Sequence, residues 1–406
     1  MIIFHRKKFL MAMALVYFLL AGTPAAQGGD WTEQIKRLTP NGAVLVTDAT
    51  GEVLLAHNPA RPKIPASTLK IVTAAAALEA LGPDYCFVTD FGLSPQNDLY
   101  VSGRGDPYLV SEELADLART LRSKGLKQVN NILLDNSFFQ EGMVLDGTSR
   151  SLNPYDAYNG ALCVNFNTIY VQIDSNGRVF SAEPQTPLTD LARQLASKNR
   201  GRGKVRFNLA ESPAVCLLYA GELLKCFLEE AGVTVKGQVS PASHNPADLP
   251  LWHRHRSSKD LCWLLTQMFK YSNNFMANQI FLTMGAERFG PPAVPEKSRR
   301  VISDYLTARG IEPFHMEEGS GLSRRTKVTA AQMNKVLHFF SPYRRLLPSE
   351  GPASFKTGTL SDVKSMAGYL MPDQGPPLSF VMLLNGPDQD HRTRTRILAL
   401  LEENLL

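Results

Sequence analysis

Between Pro65 and Gly82-Pro83 the chain carries a run, Thr68–Leu81, rich in Ala, Leu and Ile. The prolines and the glycine at its two ends are helix start and stop signals, and nothing between them breaks a helix. Five of its residues are Ala (74 to 77 and 80), so other elements can approach it closely on every side. A helix that is apolar all round is buried. A fold built from this chain must therefore surround one small-residue helix with other structure.

The flanking sequence supplies the surroundings. Ala43–Asp48 and Glu52–His57 alternate in polarity about an Ala49-Thr50-Gly51 turn and read as a β-hairpin. Late in the chain, Ala353–Leu360, Ser365–Leu370 and Leu378–Leu384 read as three successive strands, and Asp390–Leu405 as a closing helix. The middle, Asp90–Asp248, changes character. Short strands at Leu99–Val101, Val129–Asp135 and Leu162–Ile173 alternate with loops, a helix is predicted over Glu112–Lys124, and Ser197–Lys204 reads as a solvated loop. A Ser-x-x-Asp pattern predicts a helix start at Ser257. These patterns predict an α+β domain assembled from both chain ends, residues 27–90 and 250–406, with a β-rich domain, 91–249, inserted between them.

His5-Arg6-Lys7-Lys8, an apolar run Phe9–Gly22 and a small-residue exit Thr23-Pro24-Ala25-Ala26 predict an export signal over residues 1–26. The run is short of the roughly 20 residues that a spanning helix needs. The formal charge of +5 belongs mostly to this leader: removing residues 1–26 takes away Arg6, Lys7 and Lys8 and leaves +2, which argues against a nucleic-acid partner. An exported protein in the periplasm or on the outer face of the cytoplasmic membrane is expected, with no transmembrane segment once the leader is removed. Cys86, Cys163, Cys216, Cys226 and Cys262 are odd in number and show no C-x-x-C, so free buried thiols are expected, with Cys216–Cys226 a conceivable pair.

Three triplets carry chemistry. Ser67-Thr68-Leu69-Lys70 opens the central helix, where residues three apart share a face and Lys70 can reach the Ser67 hydroxyl. A serine needs a base, and a desolvated lysine crowded by another cation can be neutral enough to serve. A second Ser-x-x-Lys, Ser361–Lys364, lies between strands without a helix start and is set aside. Ser272-Asn273-Asn274 interrupts an apolar helical stretch; Ser151, Ser197 and Ser243 also begin Ser-x-Asn triplets, but in polar surroundings. An Asn-capped connection between helices is the plain reading, a proton relay at Ser272 and a substrate contact at Asn274 the functional one. Lys356-Thr357-Gly358-Thr359 lies on a predicted strand, where Gly marks close approach of another backbone. Lys356, Thr357 and Gly358 suit a substrate carboxylate, and the Thr359 and Ser67 N–H groups an oxyanion hole. His253-x-His255 offers two zinc ligands where a catalytic site needs three, and between Arg254 and Arg256 reads as a basic linker.

In this order the triplets resemble the class C penicillin-binding proteins, the D-Ala-D-Ala carboxypeptidases and endopeptidases. "IPASTLKIVTAAAALEALGPDY" (64–85), "GRGDPYL" (103–109), "ILLDNSFF" (132–139), "NGALCVNFN" (159–167), "GSGLSR" (319–324) and "SFKTGTL" (354–360) followed by "MAGYL" extend the resemblance over nearly the whole chain. It implies a penicillin-binding, β-lactamase-like fold with an antiparallel sheet flanked by helices. It further implies acylation of Ser67 by peptidoglycan stem peptides or by β-lactams, Lys70 as base, Ser272 as relay, and no metal or cofactor. Glu318 stands where the family commonly has Asp, and the insertion is short for a family that often nests a third domain in the second, so that domain is expected to be reduced or missing. A β-lactamase-like hydrolase and a non-catalytic peptidoglycan-binding protein are the competing readings.

Overall fold

The computed structural model describes residues 29–149, 151–198, 201–209, 212–242, 250–387 and 390–406; the predicted leader lies outside them. Helix α1 (Gly29–Leu38) leads into the hairpin β1 (Ala43–Thr47) and β2 (Val53–His57). A 3-10 turn, Ala66–Leu69, feeds α2 (Lys70–Leu81). The middle of the chain contributes β3 (Cys86–Leu93), β4 (Leu99–Gly103), α3 (Ser111–Ser123), β5 (Gln128–Val129), β6 (Ile132–Asp135), β7 (Thr168–Ile173), β8 (Val179–Ser181), α4 (Asp190–Ser197), β9 (Gly203–Asn208), α5 (Pro213–Glu230), β10 (Thr234–Val235), β11 (Val239–Pro241) and β12 (Leu251–Asp260). The remainder gives α6 (Leu261–Tyr271), α7 (Asn274–Phe289), α8 (Pro295–Thr307), α9 (Ala330–Phe340), β13 (Ser349–Glu350), β14 (Ala353–Leu360), β15 (Val363–Leu370), β16 (Leu378–Asn385) and α10 (His391–Leu405).

Both chain ends build one antiparallel sheet in the order β13-β14-β15-β16-β1-β2, in which Ala43–Thr47 of the N-terminal hairpin pairs with Ser379–Leu383. One face buries Val44, Val46, Phe380 and Met382 under Ile35 of α1 and Ile397 and Leu401 of α10. The other face carries α2, whose residues from Lys70 to Leu78 are all buried, packed against α7, α8 and α9. The Ala side chains there allow the close approach that the composition of the run predicts.

The middle segment has its own core. A five-stranded sheet, β11-β6-β4-β3-β12, is covered by Leu114, Leu117 and Leu121 of α3 and by Leu223, Leu224 and Phe227 of α5. A second sheet, β8-β7-β9, stands beside it. The five-stranded sheet draws on both sides of the sequence boundaries: β3 crosses 90–91, and β12 lies wholly beyond 249–250.

Five local expectations are corrected. The predicted strand Val129–Asp135 is two, β5 and β6, which are broken at 130–131 and pair in different sheets. The segment from Leu162 to Asn167 is loop and 3-10 turn, and the strand begins at Thr168. The Ser197–Lys204 loop is shorter than expected, since α4 runs to Ser197 and β9 begins at Gly203. Ser257 starts no helix: cross-strand pairing with β3 keeps 251–260 extended, and Asp260 caps α6 by accepting from the Trp263 N–H at 2.8 Å. Cys216 and Cys226 both lie on α5, a helix absent from the sequence reading, where ten residues separate them by about 15 Å, too far for a disulfide. All five cysteines are free; Cys163 and Cys216 are buried, but Cys86, Cys226 and Cys262 are only partly so.

Candidate active site

The turn before α2 is fixed from three sides. The Thr68 hydroxyl donates to the Pro65 carbonyl at 2.7 Å, and the Ser365 hydroxyl from β15 donates to the same oxygen at 2.7 Å. The Asn385 side chain, at the end of β16, accepts from the Ile64 N–H at 2.8 Å and donates to the Ile64 carbonyl at 3.1 Å. Ala66 is held at φ +48°, a conformation that costs an L-residue energy and persists because its surroundings determine it. Gly321 and Gly358 close in next. A Cβ at Gly321 would lie 2.0 Å from the Ala66 carbonyl oxygen, and one at Gly358 would lie 2.9 Å from the Ser67 nitrogen.

Ser67 remains half-buried while Lys70, one turn on, is fully buried. Lys70 Nζ donates to Ser67 Oγ at 3.0 Å, to Asn274 Oδ1 at 2.7 Å and to the Ser320 carbonyl at 2.7 Å. Burial and, after it, the Lys356 charge push Lys70 down to about 7, against an opposing pull from Glu318. A neutral ammonia-like nitrogen beside a serine hydroxyl is what proton abstraction requires.

Asn274 opens α7, capped by Asn273, whose side chain accepts from the Met276 N–H at 3.0 Å. Ser272 ends α6 in the left-handed region at φ +51°. The structure thus brings Asn274, rather than Ser272, onto Lys70; among the described residues no hydrogen bond joins Ser272 to Ser67 or Lys70. Ser272 instead lines a cavity of about 790 Å³ that opens beside this turn.

Lys356 sits on β14 nearly fully buried, and its Nζ donates to the Thr357 carbonyl at 2.9 Å. Burial and then Arg394 lower it to about 8. Thr357 is half-buried and Thr359 exposed on the same strand. The second Ser-x-x-Lys is elsewhere: Ser361 lies in the β14–β15 turn and Lys364 Nζ donates to the Leu360 carbonyl at 3.0 Å.

Two contributors were not singled out for a role by sequence. Glu318, fully buried, accepts from the N–H groups of Ser320 at 2.7 Å, Gly321 at 2.7 Å and Ser323 at 3.2 Å, and from the Ser320 hydroxyl at 2.5 Å. It thereby shapes the loop that presents the Ser320 carbonyl to Lys70. The available signal was an acid directly before Gly-Ser-Gly, whose N–H groups need an acceptor. Arg394 of α10 donates to the Gly358 carbonyl at 3.2 Å and to Thr359 Oγ1 at 3.3 Å; no local pattern near the C-terminus marks it. His255 lies on β12 with its Nε2 3.5 Å from Glu113, and among the described residues no group of three His, Cys, Asp or Glu is placed to hold a metal.

Comparison with known proteins identifies the family and the fold. The D-Ala-D-Ala carboxypeptidase 3 (S13) family matches residues 29–201, 205–345 and 342–405. A D-alanyl-D-alanine carboxypeptidase of Actinomadura sp. is 27% identical over 425 aligned residues, covering 85% of this chain and 78% of that protein. The carboxypeptidase DacB of Haemophilus influenzae is 24% identical, covering 93% of this chain and 92% of its own. The fold superposes on the crystal structure of penicillin-binding protein 4 (dacB) from Haemophilus influenzae with a TM-score of 0.75 at 23% identity, over 92% of this chain and 98% of that one.

Proposed function

Since this chain belongs to the D-Ala-D-Ala carboxypeptidase 3 (S13) family, and is a serine-type peptidase of the carboxypeptidase/endopeptidase kind, we propose that Ser67 is its nucleophile and Lys70 its base. Neutral Lys70 takes the Ser67 proton as Oγ attacks the carbonyl carbon of the penultimate D-Ala in a peptidoglycan stem peptide. The developing oxyanion lies between the N–H groups of Ser67 and Thr359, and the substrate carboxylate faces Lys356 and Thr357 beside Gly358. The C–N bond then breaks. The leaving amine, either a terminal D-Ala or the side-chain amine of a crosslink, takes up through Ser272 the proton that Lys70 had accepted, which leaves Lys70 neutral again. Water then cleaves the acyl-enzyme with Lys70 again accepting a proton, which releases the shortened peptide and frees Ser67.

The observation that carries this reading is the 3.0 Å contact between a fully buried Lys70 and an accessible Ser67. β-Lactams, whose strained amide mimics the scissile bond, are expected to acylate the same oxygen. Residues 27–90 and 250–406 form the peptidase unit in this proposal and 91–249 an insert, which carries one wall of the cavity beside Ser272. No helix among the described residues is long and apolar enough to cross a membrane. Export through the leader at 1–26 places the enzyme with its substrate outside the cytoplasm.

Fluorescent penicillin should label the purified protein stoichiometrically, and Ser67→Ala should abolish labelling while the far-UV circular dichroism is retained. Unchanged labelling of that variant rejects Ser67.

A further inference from the structure

The chemistry above uses only the Ser272 edge of the cavity of about 790 Å³ beside Ser272–Asn274 and assigns nothing to the rest of its wall. Its volume suits a small-molecule group. Its wall includes Tyr155, Phe166 and Tyr271 together with Glu112, Gln185 and Gln267. Tyr155 and Tyr271 are 55% and 67% exposed, which is unusual for large rings that have no partner to cover them.

Phe166 reaches this wall at a cost. Asn165, Phe166 and Asn167 stand consecutively in the left-handed region, at φ +47°, +59° and +52°, where Phe166 loses about 1–2 kcal/mol and the two Asn residues less. The turn is locked from beneath: Asn165 accepts from the Ser111 N–H at 2.9 Å and donates to the Ser111 hydroxyl at 2.9 Å, while Asn167 donates to the Tyr158 carbonyl at 2.8 Å. The result sets Phe166 edge-on to Phe275, the residue after Asn274, with ring centroids 6.2 Å apart. Strain maintained by a dedicated network beside a catalytic turn points to function. The "NGALCVNFN" stretch, otherwise without a chemical role, is the sequence of this device.

The lining chemistry narrows the ligand. Arg206 is paired to Glu183 and lies over the Tyr170 ring, so its charge is already matched. Glu112 is then a surplus negative charge on the wall, which repels an anionic peptide but accepts hydrogen bonds from neutral hydroxyl and acetamido groups. Rings, amides and a carboxylate around a neutral polar ligand describe a sugar site. We propose that this cavity is a carbohydrate subsite, holding the N-acetylated amino-sugar backbone to which the scissile stem peptide is attached. The proposal rests on the peptidase reading above.

Its test compares kcat/KM on a stem pentapeptide linked to an N-acetylated disaccharide with that on the same peptide without sugar, in the parent, Tyr271→Ala and Phe166→Ala. The parent should prefer the sugar-linked substrate at least tenfold, mainly through KM, and each variant should reduce that preference about tenfold. A parent with no preference, or variants that keep it, overturns the subsite. So does protection of the Tyr271 wall from hydrogen exchange by the free pentapeptide but not by an N-acetylglucosamine tetramer, which would make it a peptide site. Penicillin labelling of the same preparations separates the two readings: an unlabelled parent rejects the peptidase, whereas a labelled parent without sugar preference rejects only the subsite.

Discussion

In the proposed mechanism two buried lysines, Lys70 and Lys356, set the pH dependence, and the protonation states it requires of them are opposite. Lys70 acts as a base only when neutral, and it sits near 7 because burial and then the Lys356 charge disfavour its ammonium form. Lys356 holds a carboxylate only when charged, and burial followed by Arg394 brings it to about 8. For a carboxylate-bearing substrate, kcat/KM should therefore rise through about pH 7 and fall through about pH 8, a narrow bell that reports the free enzyme. Lys356→Gln removes a cause that depresses Lys70. The acid limb should then move to higher pH, the alkaline limb should vanish, and kcat/KM at the optimum should fall about 10- to 100-fold, since a hydrogen bond to a charged group contributes about 1.5–3 kcal/mol. An acid limb that stays in place would mean that Lys70 is not the titrating base.

At the scale of elements, the catalytic turn is fitted into place by strands distant from it in sequence. A Cβ at Gly358 would lie 2.7 Å from the Pro65 carbonyl oxygen and 3.0 Å from the Ala66 Cβ. Gly358→Ala should therefore push β14 off the turn while leaving the strand paired with β15. A misplacement of about 1 Å costs on the order of 100-fold in rate, so penicillin acylation should fall by that factor with the circular dichroism unchanged. A normal acylation rate would show that β14 can shift without consequence. This contact also explains what was legible beforehand. The Ala-rich α2, the N-terminal hairpin and the late strands follow local periodicity and could be read directly. So could the placement of Lys70 one turn beyond Ser67, which is local to one helix start, and of Lys356 on a strand. The Asn274 contact to Lys70 could not, because Ser272 and Asn274 differ only in which side of a helix break they occupy. Glu318 and Arg394 act through packing across the chain, and α5 was missed because an 18-residue helix with nine buried residues has little polar face to mark its period.

Across the whole molecule, one buried side chain gathers two loops of the middle segment onto the helix that carries Asn274, beside the packing of Phe138, Phe139 and Ala161 against the same helical core. Gln279 of α7 is fully buried, and its Nε2 donates to the Gly105 carbonyl at 3.2 Å and the Gly160 carbonyl at 3.0 Å. Its Oε1 accepts from the Gly160 N–H at 3.2 Å and from Asn159 Nδ2 at 2.9 Å; Asn159 also donates to the Phe275 carbonyl at 3.1 Å. Two loops of the middle segment thus converge on the helix whose first residue holds Lys70. Gln279→Ala leaves buried peptide groups without partners, at about 1–3 kcal/mol for each group stranded. The urea midpoint should drop accordingly. Because Asn159 loses its anchor beside Phe275, the position of Asn274 should loosen too, and penicillin acylation should slow as stability falls. Gln279→Glu, which sets a buried carboxylate against the Gly105 and Gly160 carbonyl oxygens, should be destabilised at least as much as Gln279→Ala. Full stability in Gln279→Ala would show that the loops are held by their other contacts. A destabilised Gln279→Ala that acylates at the parent rate would show that the insert is attached to the catalytic helices without tuning them.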